Sequence, residues 1–487
     1  MLPRFDQLEH VHIVGVCGTL MGSFAAFLRR RGIRVTGSDQ NVYPPMSDVL
    51  AGAGVTIYSG YRAENLLASG SRPDLVVIGN VIRSDNPEAV AAINGGFAYT
   101  SLPEAMEKLL LVNTRNIVAA GTHGKTTTSS LMAFVLHRLG RRPNFFIGGV
   151  PQDLPFSFQV ESLEAGTPFV LEGDEYDTAF WDKVPKFNHY LPDDVILTSM
   201  EYDHADIYPD FAAVERAFRG LLERIRSKGR LILCIDDANL AKMAVHARVP
   251  VITYSSGTTA SGAEADYRLG AIRGTGDGLM EFEIVQKGES SPCETLRLRI
   301  PGRHNALNAL AVWIECRELG LDAARVREAL AAFAGVKRRQ EERGEVNGVL
   351  VLDDFAHHPT AVRETLQALR IKYPKRRIVA VFEPRSATSR RKVFQKDYGQ
   401  AFLQGDATFI AQPYDTSRIA EGDQFSSGQL VNDLTDAGHS ALLMPSVEEG
   451  VAQVTRFARP GDLVAVLSNG GFGGFIPKLL DSLRSRT

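Results

Sequence analysis

Cysteine is scarce: four in 487 residues, at positions 17, 234, 293 and 316, too far apart to form a CxxC pair. That argues against a disulfide framework or a thiolate-built metal site, and gives each thiol a packing role in a reducing compartment. An excess of charge is also missing, with 57 acidic against 54 basic residues and a net charge of −3. No electrostatic footprint for nucleic acid and no polybasic arm results, so anionic ligands must be gripped by local groups. Long apolar runs are absent too, none approaching the roughly 20 residues of a membrane span. The opening MLPRFDQLEHVHIVGV lacks the apolar core of about 7–15 residues and the cleavage site of a signal peptide. The expectation is a cytoplasmic protein, a monomer or weak homo-oligomer, with no nucleic-acid or membrane partner.

What is present is a 44% hydrophobic chain in which short β-branched runs alternate with helical patterns, the signature of α/β architecture on parallel sheets. At ~100–200 residues per domain, the length supports two to four domains. Three strand ends carrying glycines or acids follow HVHIVGV, NIVAA and GVLVLDD, and divide the chain into residues 1–112, 113–334 and 335–487. The first part reads as strand 10–16, helix 20–31, strand 33–37 and strands near Val55 and Leu75. It closes on SLPEAMEKLLL, where Ser101 and Glu104 have capping-box spacing. Residues 255–291 form a Gly/Ser-rich, strand-like section, and the charged stretch 337–345 is assigned to a hinge. The third part begins with strand 349–352, a helix after Pro359 and strand 377–382, followed by three strand–helix units.

The strongest motif is Gly121-Thr122-His123-Gly124-Lys125-Thr126-Thr127, between an apolar strand and the apolar stretch 131–136. Glycines after a strand turn backbone N–H groups toward phosphate at a helix N-terminus, where Lys125 would reach the β- and γ-phosphates of ATP. The Thr126 hydroxyl would bind Mg2+. A full GxxxxGK[ST] pattern needs glycine at 119, where this chain has Ala119; the alternative is an ordinary turn with a surface lysine. Gly15, Gly18 and Gly22 also follow a strand and open a helix, with Asp39 at the end of the next strand, but the spacing is not the dinucleotide GxGxxG. They serve either a nucleotide or strand–helix packing, and Cys17 among them is a compact filler. Of the acids Glu172, Asp174, Glu175 and Asp177, Glu172 is the chosen metal ligand and the others are assigned mainly to surface. His204, in MEYDH, is the imidazole counterpart near a phosphate-bound metal. Asn305 and Asn308 offer paired donors and acceptors for adenine or ribose, or cap a helix. Arg338 and Arg339 either reach a γ-phosphate or form a basic hinge patch.

GTHGKTTT, Glu172 in LEGDE, His204 in MEYDH, HNALN, the paired arginines and DDFAHHP stand in an order that resembles the Mur ligases. The resemblance covers essentially the whole chain. It implies a three-domain architecture: a Rossmann-like UDP-binding domain, a central P-loop ATPase domain and a Rossmann-like C-terminal domain. It also implies MgATP dependence and an acyl-phosphate mechanism. By the same resemblance Lys125, Glu172, His204, Arg339 and Asp354 are catalytic, and Thr126, Glu172 and His204 position metal. Asn305, Asn308, Arg339 and Asp354 contact ATP together with the 121–127 loop. Gly15, Gly18, Ser38, Asp39 and Asn80 line the pocket for UDP-N-acetylmuramate. GVCGTLMG, GSDQNVYPPMS, EYDHADIY, FEPRSAT, SNGGFGGF and the insertion around 183–192 are similar to the branch that couples the murein tripeptide L-alanyl-γ-D-glutamyl-meso-diaminopimelate. Arg385, Ser386 and Thr388 are its candidate peptide contacts. The alternative is the branch that adds L-alanine, which shares a DNPE segment like residues 85–88. Where several relatives carry a carbamoylated lysine, 211–218 has none, so a second metal is held differently. Two other classes compete: a nicotinamide-dependent oxidoreductase using Asp39, which leaves the P-loop unexplained, and a P-loop ATPase that senses a wall precursor without forming an amide.

Overall fold

Strands β1 (His10–Val14), β2 (Arg34–Asp39), β3 (Thr56–Ser59), β4 (Leu75–Ile78) and β5 (Tyr99–Ser101) form a parallel sheet of order β3-β2-β1-β4-β5. β1 and β4 are buried at every position, the pattern of a parallel sheet covered on both faces. The chain runs from β1 outward through β2 and β3, then returns to β4 and β5 on the other side. The topological switch therefore lies between β1 and β4, where open sheets form ligand crevices. The structure is a computed structural model that describes residues 2–42, 46–257, 259–260, 262–275, 278–417 and 419–486. Tyr43, Pro44 and Pro45 of the NVYPPMS segment lie outside the described residues, as do positions 258, 261, 276 and 277 of the section 255–291.

The DNPE segment resolves into a helix start. Asn86 Oδ1 accepts the N–H groups of Glu88 and Ala89 at 3.0 Å, with Pro87 at the first helical position of Pro87–Asn94. Glu88 is fully buried and bonds His12 Nε2 of β1 at 2.6 Å. Only half of the expected capping box forms at Ser101. Its hydroxyl accepts Glu104 N–H at 3.2 Å, while the Glu104 carboxylate takes the Thr100 hydroxyl at 2.9 Å.

The middle of the chain supplies β6 (Arg115–Ala120), β7 (Asn144–Phe146), β8 (Phe158–Gln159) and β9 (Pro168–Gly173), then a two-stranded antiparallel hairpin, β10 (Asp177–Ala179) and β11 (Asp182–Pro185). β12 (Asp194–Leu197), β13 (Arg230–Cys234) and β14 (Val251–Ser255) follow, giving the order β14-β13-β12-β6-β9-β7-β8. Phe158 of β8 meets Phe27 and Phe24 of helix Thr19–Arg30 at centroid distances of 4.8 and 5.8 Å, and Phe146 at 5.0 Å. Each such pair adds about 0.5–1.5 kcal/mol beyond area burial, so an aromatic seam joins this sheet edge to the first sheet's helix.

β15 (Tyr267–Gly274), β16 (Met280–Gln286) and β17 (Glu294–Leu298) make an antiparallel meander. The last sheet contains β18 (Glu341–Val346), β19 (Val349–Asp354), β20 (Ile378–Phe382), β21 (Ala407–Ala411), β22 (Ser440–Met444) and β23 (Leu463–Leu467) in the order β18-β19-β23-β20-β21-β22. Leu350 and Leu352 enter one apolar layer while Val349 and Val351 enter the other, the two-residue alternation of a strand buried on both faces. The charged stretch assigned to a hinge is in part strand β18, antiparallel on the sheet edge. Glu342 pairs with Lys372 at 2.9 Å and Glu345 with Arg376 at 3.0 Å, charges that suit an edge by discouraging further strand addition.

The chain packs as two compact units. One comprises Met1–Met200, Ala212–Asp266 and Ala311–Ala329; the other comprises Glu201–Phe211, Tyr267–Leu310 and Leu330–Thr487.

Candidate functional site

In the first unit, β6 runs into the 121–124 turn and helix Lys125–Arg138. Gly124 occupies the N-cap at φ +84° and Gly121 sits at φ +137°. A Cβ at 121 would lie 2.3 Å from Thr198 Oγ1 and 2.8 Å from Ser199 N, so glycine is demanded by the end of β12 pressing on the loop. Thr198 Oγ1 donates to Ala120 O at 3.1 Å, and Ser199 Oγ accepts His123 N–H at 2.8 Å, fixing the turn from beneath. Ala119, where the full motif has glycine, is still within β6 and pairs with Glu172 of β9.

Lys125 Nζ donates to Gly121 O at 2.7 Å, Thr122 O at 3.1 Å and Glu175 Oε1 at 2.8 Å. Burial alone would lower its pKa, but Glu175, Asp174 and Glu172 hold the ammonium above its ordinary value. Thr126 Oγ1 donates to Glu172 Oε1 at 2.7 Å, and Gly148 N–H holds the other carboxylate oxygen at 2.7 Å. A threonine hydroxyl and a carboxylate juxtaposed beside a phosphate loop are hard oxygen donors, so these residues fit Mg2+.

The acidic cluster corrects one expectation: its other members are not mainly surface charges. Glu175 is buried on Lys125, and Asp174 pairs with Lys186 at 2.6 Å. Burial works against the charged form of Asp174, but Lys186 outweighs it and the carboxyl lies below its ordinary range. Asp177, more exposed, pairs with Lys183 at 3.0 Å. Sequence reasoning passed over Lys186 and Gly148, because neither lies in a recognisable motif.

At the first sheet's switch point, Gly15 adopts φ +84° and Gly18 caps helix Thr19–Arg30 without a side-chain bond, leaving that helix N-terminus open to an anion. Asp39 shapes this turn: Oδ2 accepts Cys17 N–H at 2.8 Å and Oδ1 accepts Asn41 N–H at 3.0 Å. Ser38 contributes backbone, its carbonyl accepting Gly15 and Val16 N–H at 2.8 and 3.1 Å, while its hydroxyl is fully buried. Asn80 is exposed just beyond β4. Gly22 makes room for Met46, since a Cβ there would lie 2.3 Å from the Met46 sulfur. Burial, then Asp39, raises the Cys17 thiol to about 11, in keeping with a filler and not a nucleophile.

In the second unit, His204 has φ +54°, and Asp203 Oδ1 accepts its N–H at 2.7 Å. Burial opposes the charge on Asp203, but His204, His357 and His358 hold its carboxyl well below the usual range. Thr388, expected on the peptide, instead donates its hydroxyl to Asp203 at 2.6 Å and is buried. Ser386 is likewise turned inward, bonding Ser389 Oγ at 2.9 Å and accepting Ser389 N–H at 3.0 Å. Arg385 is more open than either: its guanidinium lies 3.8 Å over the Tyr414 ring and 3.4 Å from Glu383 Oε1, and its side chain is 30% exposed. A Cβ at Gly470 would lie 2.1 Å from Arg385 Nε, so any side chain there would displace this arginine.

The paired arginines separate in role. Arg338 donates to Ser468 O and Gly470 O at 2.7 Å each and approaches Asp353 at 3.4 Å. Arg339 lies 4.9 Å over Phe355 and has no carboxylate within ion-pair distance among the described residues. Asp354 Oδ1 accepts Ala356 N–H at 2.7 Å and Oδ2 accepts Gln340 N–H at 2.8 Å, bracing the loop beside Arg339. Asn305 is not a cap: its amide donates to Pro301 O at 2.7 Å within helix Arg303–Glu318, and both Asn305 and Asn308 are buried.

A parallel α/β protein with a phosphate loop backed by Thr126 and Glu172 belongs to the nucleotide-dependent enzymes. Three family profiles match it in sequence: "Mur ligase family, catalytic domain" over residues 10–113, "Mur ligase middle domain" over 119–315 and "Mur ligase, glutamate ligase domain" over 338–470. The chain belongs to the Mur ligase family. It is 37% identical to the UDP-N-acetylmuramate–L-alanyl-γ-D-glutamyl-meso-2,6-diaminoheptanedioate ligase of Escherichia coli, over 98% of both chains. The crystal structure of a murein peptide ligase from Psychrobacter arcticus is 33% identical, covers 98% of this chain and 99% of its own, and superposes with a TM-score of 0.69. A UDP-N-acetylmuramate–L-alanine ligase of Salinibacter ruber is 34% identical over 96% of this chain and 94% of its own. Family membership removes the nicotinamide reading, and Asp39 already spends both oxygens on its own loop. No helix among the described residues is long and apolar enough to cross a membrane.

Proposed function

We propose that this ligase joins L-alanyl-γ-D-glutamyl-meso-diaminopimelate to the lactyl carboxylate of UDP-N-acetylmuramate, consuming ATP, in the recycling of peptidoglycan in the cytoplasm. The observation that carries the reading is end-to-end similarity to a relative named for that reaction, at 37% identity, in a chain whose phosphate loop is formed. Residues 1–112 hold the UDP-sugar at Gly15, Gly18, Asp39 and Asn80. Residues 113–334 hold ATP, and residues 335–487 hold the peptide.

The carboxylate attacks the γ-phosphorus and ADP leaves. The free α-amine then attacks the acyl carbon of the resulting acyl phosphate, a proton is lost, and inorganic phosphate departs from the tetrahedral intermediate. The difficulty is the approach of two anions, which preorganised positive charge relieves. Lys125 swings from Glu175 and its own loop carbonyls onto the β- and γ-phosphates. Thr126 and Glu172 would hold Mg2+, which neutralises phosphate charge when bound. Arg339, without a carboxylate partner, is the group available to the transferring phosphoryl, and Asp354 acts by bracing its loop. Asn305 and Asn308 would contact the nucleotide, and His204 would help position metal. Arg385, stacked on Tyr414, is the cation offered to a peptide carboxylate; Ser386 and Thr388 support the loop that carries it.

The test is a mass-spectrometric product assay with MgATP, UDP-N-acetylmuramate and equal amounts of tripeptide and L-alanine. The expected product is UDP-N-acetylmuramoyl-tripeptide with stoichiometric ADP. Predominant UDP-N-acetylmuramoyl-L-alanine would assign the chain to the other branch, and ADP without a new amide would remove ligation altogether.

A further inference from the structure

The β10–β11 hairpin connects two places that the reaction must hold in register. At its root, immediately after β9, stand Glu175 on Lys125 and Asp174 on Lys186, at 2.8 and 2.6 Å. The root is closed by Lys186 N–H donating to Tyr176 O at 3.0 Å, and the arm by Thr178 donating to Val184 O at 2.9 Å. At its tip, Phe180 packs against the apolar cluster of the first sheet containing Ile78 and Ile82, together with Tyr61, Phe97 and Tyr99. Trp181 meets Tyr99 edge-on at 5.5 Å and Phe180 at 4.7 Å. Ile82 in turn abuts the glycine turn, its Cδ1 lying 3.4 Å from where a Gly15 Cβ would stand.

A second contact clasps the same arm to the same domain. His189, at the end of the 3-10 turn Lys186–His189, bonds Glu107 of helix Leu102–Leu109 through Nδ1 at 2.6 Å and Asp182 of β11 through Nε2 at 2.8 Å. With a carboxylate at each ring nitrogen, the imidazole donates on both sides and is held as the cation. Burial opposes that charge, but the two carboxylates hold the pKa above its ordinary value. Aromatic tip and ionic clasp are independent contacts, and neither lies in a motif that the reaction itself explains.

We propose that this hairpin is a strut setting the UDP-sugar turn against the phosphate loop, and that Trp181 and His189 are positioning residues for activation of the acceptor carboxylate. The inference rests on the function proposed above. The contacts of Trp181 with Tyr99 and Phe180, and of His189 with Glu107 and Asp182, are made to the scaffold, so the strut governs alignment of bound substrate and not its capture. Misplacing reacting groups by ~1 Å can cost ~100-fold in rate, which sets the scale of the expected loss.

Wild-type turnover with tripeptide is measured first, which separates failure of the functional reading from failure of the strut. W181A and H189Q are then compared with wild type for kcat, KM for ATP and calorimetric Kd for UDP-N-acetylmuramate without ATP. The strut predicts kcat lower by about 10- to 100-fold, with Kd and KM for ATP within about twofold and most of the rate regained in W181F. Unchanged kcat in both variants overturns it. A Kd weakened in proportion to kcat/KM also overturns it, since that marks a pocket residue. Should W181A fail to fold, H189Q decides by the same criteria.

Discussion

Lys125 illustrates how a residue chosen for one task carries two. Its ammonium neutralises Glu175 and neighbours Asp174 and Glu172, besides being the group proposed to reach for phosphate. Breaking a buried ion pair on one side typically costs about 3–5 kcal/mol. Lys125→Ala is therefore expected to lower Tm at pH 7 as well as to reduce kcat more than tenfold, or ~1.4 kcal/mol in the barrier. Adding Glu175→Gln should recover Tm without recovering turnover. If thermal scans and kinetics recovered together, the phosphate role would be wrong. Glu172, Asp174 and Asp177 look alike in sequence, yet only Glu172 touches Thr126. Glu172→Gln should shift activity against Mg2+ concentration far more than Asp174→Asn or Asp177→Asn, and equal shifts would contradict that assignment. Asp174, whose folded pKa is depressed by Lys186, contributes stability above its unfolded pKa and loses it as pH falls through the folded value. The Tm deficit of Asp174→Asn should accordingly be present at pH 7 and vanish in acid.

At the scale of elements, apolar strands and the phosphate loop were legible because burial on both faces writes continuous β-branched runs and a glycine turn has few other uses. Charged and polar segments were not. The stretch 337–345 looks like a hinge because the edge strand it enters at Glu341 is free to carry Glu and Arg, with Lys372 and Arg376 arriving from a distant helix and loop. Thr388 looks like a ligand contact because the partner of its hydroxyl, Asp203, lies 185 positions away. Another long-range polar group is Glu315, fully buried in helix Arg303–Glu318 near Asp194, with Arg230 at 3.5 Å and Arg115 on Asp194 at 2.7 Å. Burial and then Asp194 push its pKa well up, because two carboxylates share this dry site. The folded state keeps a proton that the unfolded chain releases, so stability falls as pH rises from the unfolded pKa toward the folded one. Glu315→Gln removes that slope. Its Tm should match or exceed wild type at pH 8, and a drop of several degrees would show that the ionised carboxylate is what Arg230 and Arg115 require.

For the whole molecule, the order of motifs revealed family and chemistry, while the packing of the chain did not follow from it. Glu201–Phe211, contiguous with the middle segment in sequence, packs in the same unit as His357, His358 and Thr388. Such allegiance depends on contacts at long sequence separation, which no local pattern records. The central claim concerns where ATP is spent: on the lactyl carboxylate, through an acyl phosphate, in service of amide formation. The direct measurement uses UDP-N-acetylmuramate labelled with oxygen-18 in that carboxylate, with unlabelled ATP and tripeptide. The account predicts one labelled oxygen in the inorganic phosphate for each amide formed, with the other retained in the amide carbonyl. Unlabelled phosphate released at the rate of ADP would contradict it.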